Sequence, residues 1–153
     1  MPTKTYFVRL VQGRGFNARL IEFKGSDWPS HVELLETDSY DHPIRVLGSR
    51  YPAGIAYRGY NDYPVNRDVW FKHPFTSQAW VSLEKLLGHK YDLLDIFGIG
   101  FDEDWHMDGH YICSEAVAWA FEDAGHPLFN PEEEVRRIMP VHFLLALDLV
   151  RYR

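Results

Sequence analysis

Strand-like segments fill the first half of this chain and helix-like segments most of the second, and that segregation is what most limits its fold. "TYFVRLVQ" (5–12) alternates and is rich in β-formers, which predicts a strand. "NARLIEF" (17–23) has the spacing of a short helix, with Asn17 at the cap position. "HVELLE" (31–36) and "IRVLGSR" (44–50) flank the turn-rich "TDSYDHP" and predict a hairpin. "GIAYRGY" (54–60) and "DVWFKHPF" (68–75) read as two more strands, the second ended by Pro74. From Thr76 the period changes. "TSQAWVSLEKLLG" carries apolar residues at helical spacing, with Thr76 expected as its cap and Gly88 as its stop. "YDLLDIFGIGF" reads as a shorter helix, and "NPEEEVRRI" starts one with Asn130 as cap and Pro131 at the first helical position. The expected class is α+β, in one domain covering residues 1–153.

The single cysteine stands at one of these element boundaries. Before Cys113, the residues Asp102, Glu103, Asp104, His106, Asp108, Gly109 and His110 show no apolar period. After it, Ala116, Val117, Ala120, Phe121 and Ala124 recur at three- and four-residue intervals until Gly125 and Pro127. Cys113 is therefore expected in the first turn of a helix of about three turns. The first N–H groups of a helix lack intrahelical partners and the macrodipole favours negative charge there, so a thiolate is stabilised. A neighbouring imidazolium lowers the thiol pKa further. The same N–H groups can hold an oxyanion during attack on a carbonyl. Against this stands the common fate of a free cysteine, that of a small buried hydrophobe.

Composition narrows the function classes. A length of 153 residues, 46% of them hydrophobic and 16% aromatic, suits a single sizeable core. A formal charge of −6 without a Lys/Arg cluster argues against nucleic acid as a partner. One cysteine excludes an internal disulfide framework. The N-terminal "MPTKTYFVRLVQGRGF" has no long apolar stretch, and no run approaches the ~18 apolar residues of a membrane span. A cytoplasmic location is expected, with export by other machinery or release on lysis as the routes out.

Thiolate chemistry on amides or esters needs a base that takes and returns a proton, usually a histidine held by a third polar group. Of the eight histidines, His73, His89, His126 and His142 lie beside prolines, glycines or element ends and form no constellation. His31 differs: it opens a predicted strand just after Trp28-Pro29-Ser30 and so sits on a rigid element. Its imidazole is expected beside the sheet face on which the Cys113 helix packs. A rival chemistry uses His106, His110 and Cys113 around zinc, completed by Asp108 or water. The turn expected at Asp108-Gly109 separates the two imidazoles, and a histidine-rich loop bordering a cleft is the preferred reading. Trp70, Trp80 and Trp119 read as core, whereas Trp28 and Trp105 are candidates for a cleft wall that binds substrate.

The segments "WPSHVELLE", "VLGSRYPAGIAYR", "GHKYDLLDIFGIGF" and "YICSEAVAWAFEDAG" together resemble the permuted papain-like NlpC/P60 superfamily. This group comprises the relatives of YiiX and YaeF and of the lecithin retinol acyltransferases, and the resemblance is especially to small phage and prophage members. In permuted members the histidine strand precedes the cysteine helix, as His31 precedes Cys113 here. The likeness runs from Phe16 to about residue 140 and includes "RRIMPVHFL"; its specific parts are Ser-His-Val at 30–32 and Cys-Ser-Glu at 113–115. It implies a small antiparallel sheet packed against helices, with Cys113 as nucleophile and His31 as general base, and no cofactor or metal.

Many relatives carry a polar third residue on the strand after the histidine, where this chain has Gly48-Ser49. A hairpin turning near Ser39 and Tyr40 sets His31 opposite Gly48 or Ser49, which makes Ser49 the expected third member. Glu33, two residues on and on the same strand face as His31, is the alternative, and His42 a more distant one. Tyr111 is a candidate to add an O–H to the oxyanion site. Glu115 is a candidate to bind substrate or buttress the histidine, although an acid in the first helical turn already has a structural reason to be there. The resemblance implies a cell-wall peptide or related amide as substrate. Lipid acyltransferase or thioesterase activity, with "PVHFLLALDLV" (140–150) as the only apolar candidate segment, and a catalytically silent binding or virion protein are the alternatives.

Overall fold

The computed structural model describes residues 3–13, 28–62, 65–92, 111–130, 138–146 and 150–151. The expected helices at 17–23, beyond Asp92 and at 131–137 lie outside the described residues. So do Trp105, His106, Asp108 and His110.

Among the described residues, six strands form one antiparallel sheet: β1 (Thr5–Gly13), β2 (His31–Thr37), β3 (Pro43–Arg50), β4 (Gly54–Gly59), β5 (Val65–Lys72) and β6 (Val150–Arg151), in the order β4-β3-β2-β1-β5-β6. The described helices are α1 (Thr76–Glu84), α2 (Cys113–Asp123) and α3 (Phe143–Ala146), the last preceded by a 3-10 turn at Pro140–His142. The α+β class and the hairpin at 31–50 follow the sequence pattern. Within the expected apolar segment, Pro140–His142 form the 3-10 turn, Phe143–Ala146 the short helix and Val150 begins β6. None of the described helices is long and apolar enough to cross a membrane.

The hairpin register departs from expectation. Asp38 accepts hydrogen bonds from the Tyr40 and His42 N–H groups at 2.8 and 2.9 Å, and Asp41 takes a positive φ of 59°. The turn is therefore wider than a reversal at Ser39 and Tyr40, and an irregularity follows between Glu36 and Thr37. Leu34 faces Leu47, so Gly48 comes beside Glu33 rather than His31. A Cβ on Gly48 would lie 2.9 Å from the Glu33 Cβ, which explains a glycine there.

Strand alternation sorts the sheet's side chains into two sets. Val8, Leu10, Val32, Leu34, Leu47, Ile55, Val69 and Phe71 join α1 and α2 in the larger core. Phe7, Leu35, Val46 and Trp70 form a smaller buried cluster from the alternate positions. Both faces of the sheet thus carry buried apolar groups. An isolated helix as short as α2, with 11 residues, is marginal in water, so its place depends on burial. Val117 and Phe121 are fully buried and each contributes about 1.5–3 kcal/mol by leaving water. Gly125, at φ 81°, closes α2 where the sequence pattern ends.

One helix start needs correction. Thr76 is the first residue of α1, and Phe75 stands at the cap; the Thr76 hydroxyl donates to the His73 carbonyl at 2.9 Å instead of capping. The helix also ends before the expected stop: Glu84 is its last residue and Lys85 its C-cap, and Gly88, at φ 89°, ends the turns that follow.

Candidate active site

Cys113 is the first residue of α2, and its side chain belongs to the larger core. His31 is the first residue of β2 and shares a face with Glu33 and Leu35, which is the face away from the helices. The thiol and imidazole nonetheless lie close enough for each to shift the other's protonation. They meet at the start of β2, past the Leu34–Leu47 pair where β3 stops pairing with it. The imidazole expected beside the Cys113 helix thus lies close to the sulfur, at the N-terminal end of α2.

His31 Nε2 lies 3.0 Å from Glu33 Oε2, which leaves Nδ1 for the thiol. Glu33 is fully buried, and its other oxygen accepts from Arg9 at 2.8 Å. The side chain that holds the His31 ring is therefore Glu33, the alternative to Ser49. Ser49 is fully buried too, but its hydroxyl donates to the Tyr111 carbonyl at 2.6 Å, so it ties β3 to the segment leading into α2. The physical reason is the hairpin register, which, continued from the Leu34–Leu47 pair, sets Ser49 at the level of Val32 rather than His31.

The electrostatics favour a charged pair. Burial opposes a charge on His31, but the Cys113 sulfur and the Glu33 carboxylate outweigh it and raise the imidazole above its ordinary 6.5. Burial likewise opposes the thiolate, yet the His31 imidazolium and the N–H groups of Val32 and Ser114 lower the Cys113 thiol below its ordinary 9.0. Both shifts move the proton from sulfur to nitrogen. The Ser114 N–H is one of the unpartnered donors of a helix start, the contribution anticipated from sequence.

The remaining candidates separate. Glu115 is 1% exposed and accepts from the Ile112 N–H at 3.0 Å, so it caps α2 rather than lining a cleft. Tyr111 is half-buried with its ring edge-on to His89, 5.7 Å between centroids. Trp28 is half-buried against the larger core, with the Arg67 guanidinium 4.4 Å from its ring centroid. Trp105 lies outside the described residues, as do His106 and His110 of the zinc reading. Among the described residues no three His, Cys, Asp or Glu side chains gather as a metal site.

Sequence reasoning missed two groups. Tyr91 is buried, and its phenol is held well above its ordinary 10.0 by burial and then by the charge of the nearby Cys113. Arg9 sits directly across from Glu33 in the β1–β2 register. No signal in the sequence paired Tyr91 with the cysteine; for Arg9, a lone cation inside a strand otherwise rich in apolar residues was the available hint. No protein-family model matches this sequence, and neither does any curated protein.

Proposed function

We propose that this chain is a cysteine hydrolase of the permuted papain-like NlpC/P60 type, acting on an amide such as that of a cell-wall peptide. One observation carries the reading: a thiol at a helix N-terminus lies beside a histidine whose ring is held by a buried carboxylate. The Cys113 thiolate attacks the substrate carbonyl carbon, and the N–H groups at the start of α2 stabilise the oxyanion. The His31 imidazolium gives its proton to the leaving amine as the C–N bond breaks. Neutral His31 then takes a proton from water, the hydroxide attacks the thioester, and the C–S bond breaks to return thiolate and carboxylic acid. Glu33 keeps the imidazole oriented and supports its charge throughout. The substrate class rests on the sequence resemblance.

The buried carboxylate supports activity, since an orienter stronger than the expected serine hydroxyl is in place. The 1% exposure of Cys113 supports the competing reading of a catalytically silent fold. Titration of the single thiol separates the two. Thiolate ultraviolet absorbance and iodoacetamide alkylation are followed against pH in the wild type and in His31→Ala. A thiolate phase below about pH 7 that disappears in His31→Ala is expected, and it directs screening toward muropeptides, amides and lipid esters. One titration near the free-thiol value, the same in both proteins, overturns the hydrolase reading.

A further inference from the structure

Behind the Cys113–His31–Glu33 group lies a buried cation that the mechanism above does not use. Arg9, in the middle of β1, is 1% exposed. Its Nη1 donates to Glu33 Oε1 at 2.8 Å and its Nε to Asp68 Oδ2 at 2.9 Å, while its Cζ lies 4.1 Å from the Tyr60 ring centroid. Asp68 is itself fixed, accepting from the Tyr60 hydroxyl at 2.6 Å and the Trp70 indole at 3.0 Å on the same oxygen. Glu33 divides its two oxygens between His31 and Arg9.

We infer that Arg9 is a positioning residue for the proposed hydrolase: anchored by Asp68, it holds the Glu33 carboxylate in the one orientation that engages His31. The inference rests on the Cys–His reading and extends it to a second tier of residues on β1 and β5. A carboxylate with a free rotamer could turn away from the ring. Here the cross-strand Arg9–Glu33 pair removes that freedom, and the forked guanidinium reaches two acids at once, which a lysine ammonium does with less geometric control. The charged and titratable groups facing this set are Arg9 and Asp68 from β1 and β5, Tyr60 after β4, Glu33 and His31 from β2, Cys113 from α2, and Tyr91 from the segment before it.

Removing the cation leaves the buried Glu33 carboxylate without this partner, which favours its protonation or its turning away from the ring. In either case the imidazolium loses its counter-charge and the thiolate phase moves to higher pH.

The test is the thiol titration described above, in folded wild type, Arg9→Met, Arg9→Lys, Asp68→Asn, and the double variant Arg9→Met/Glu33→Gln beside Glu33→Gln alone. Arg9→Met is expected to lower the alkylation rate at about pH 6 by about tenfold, an upward shift of about one pH unit in the thiolate phase. Arg9→Lys should restore part of the loss, and Asp68→Asn should shift the phase in the same direction by less. In the Glu33→Gln background, Arg9→Met should add no further shift, because its effect runs through that carboxylate. A merely structural arginine lowers the melting temperature and leaves the titration in place, so a wild-type profile in folded Arg9→Met overturns the inference. Should Arg9→Met not fold by near-ultraviolet circular dichroism, unchanged profiles in both Arg9→Lys and Asp68→Asn overturn it instead. A wild type with no His31-dependent phase is the distinct result that removes the hydrolase reading itself.

Discussion

Replacing Glu33 with glutamine isolates the charge of the third residue from its shape. Gln fills the same buried space and keeps a polar atom near His31 Nε2, now 3.0 Å from the carboxylate oxygen. A hydrogen bond to a charged partner contributes about 1.5–3 kcal/mol, and one between neutral partners about 0.5–1.5 kcal/mol. The imidazolium therefore loses about 1–1.5 kcal/mol of support, which is about one pKa unit at ~1.36 kcal/mol per unit. The loss falls on the nitrogen-protonated form alone, so the ratio of thiolate–imidazolium to thiol–imidazole falls about tenfold. The assay is thiolate absorbance between about pH 5 and 8, with Cys113→Ser as the blank and circular dichroism to confirm folding. A Glu33→Gln curve superimposed on the wild type would refute the idea that this carboxylate supports the charged pair.

Three further outcomes follow from the same geometry. Ser49→Ala should cost about 1–2 kcal/mol of stability in chemical denaturation, through the lost 2.6 Å bond to the Tyr111 carbonyl, while the thiol titration stays as in the wild type; a lost thiolate phase would return Ser49 to the catalytic group. Gly48→Ala forces a methyl to within 2.9 Å of the Glu33 Cβ, so a loss of about 1–3 kcal/mol and a weakened thiolate phase are expected together, and a variant as stable and reactive as the parent would contradict the close approach. Glu36 is raised by burial but lowered more by Lys4 and Arg45, ending below its ordinary 4.5, so its stabilisation is present above that value and is lost as pH falls through the depressed one. The melting-temperature gap between wild type and Glu36→Gln should accordingly narrow on acidification, and a gap constant from neutral to acid pH would rule this out.

The elements that bear the chemistry were legible because each has a strong local signal. A helical period beginning just after Cys113, and a short polar joint between two β-rich runs, fix α2 and the β2–β3 hairpin without tertiary information. The third residue was not legible to the same degree. Choosing between Ser49 and Glu33 required the hairpin register, and that depended on the Asp38 hydrogen bonds widening the turn. The intrastrand clue, two residues apart and therefore on one face, was independent of register and pointed to Glu33. Arg9 and Asp68 were harder still. A polar residue in an alternating strand reads as solvent-facing, and only the neighbouring strands reveal that Arg9 meets acids in a buried layer. Tyr91 comes near Cys113 from a distant part of the sequence, with no spacing to announce it.

The Arg9–Glu33 pair occupies directly opposed positions on β1 and β2, and Asp68 comes from β5 on the other side of β1. Adjacent rungs of the sheet thus carry acid, base and acid in sequence, ending at the imidazole. A slip of one residue between β1 and β2 would turn Arg9 toward the helices and leave the carboxylate facing an apolar neighbour. Misaligned molecules would keep their cysteine and their histidine yet lack an acidic thiol. Thiolate content near neutral pH is consequently a gauge of strand alignment, able to sort correctly zipped chains from compact misfolded ones in a refolding mixture.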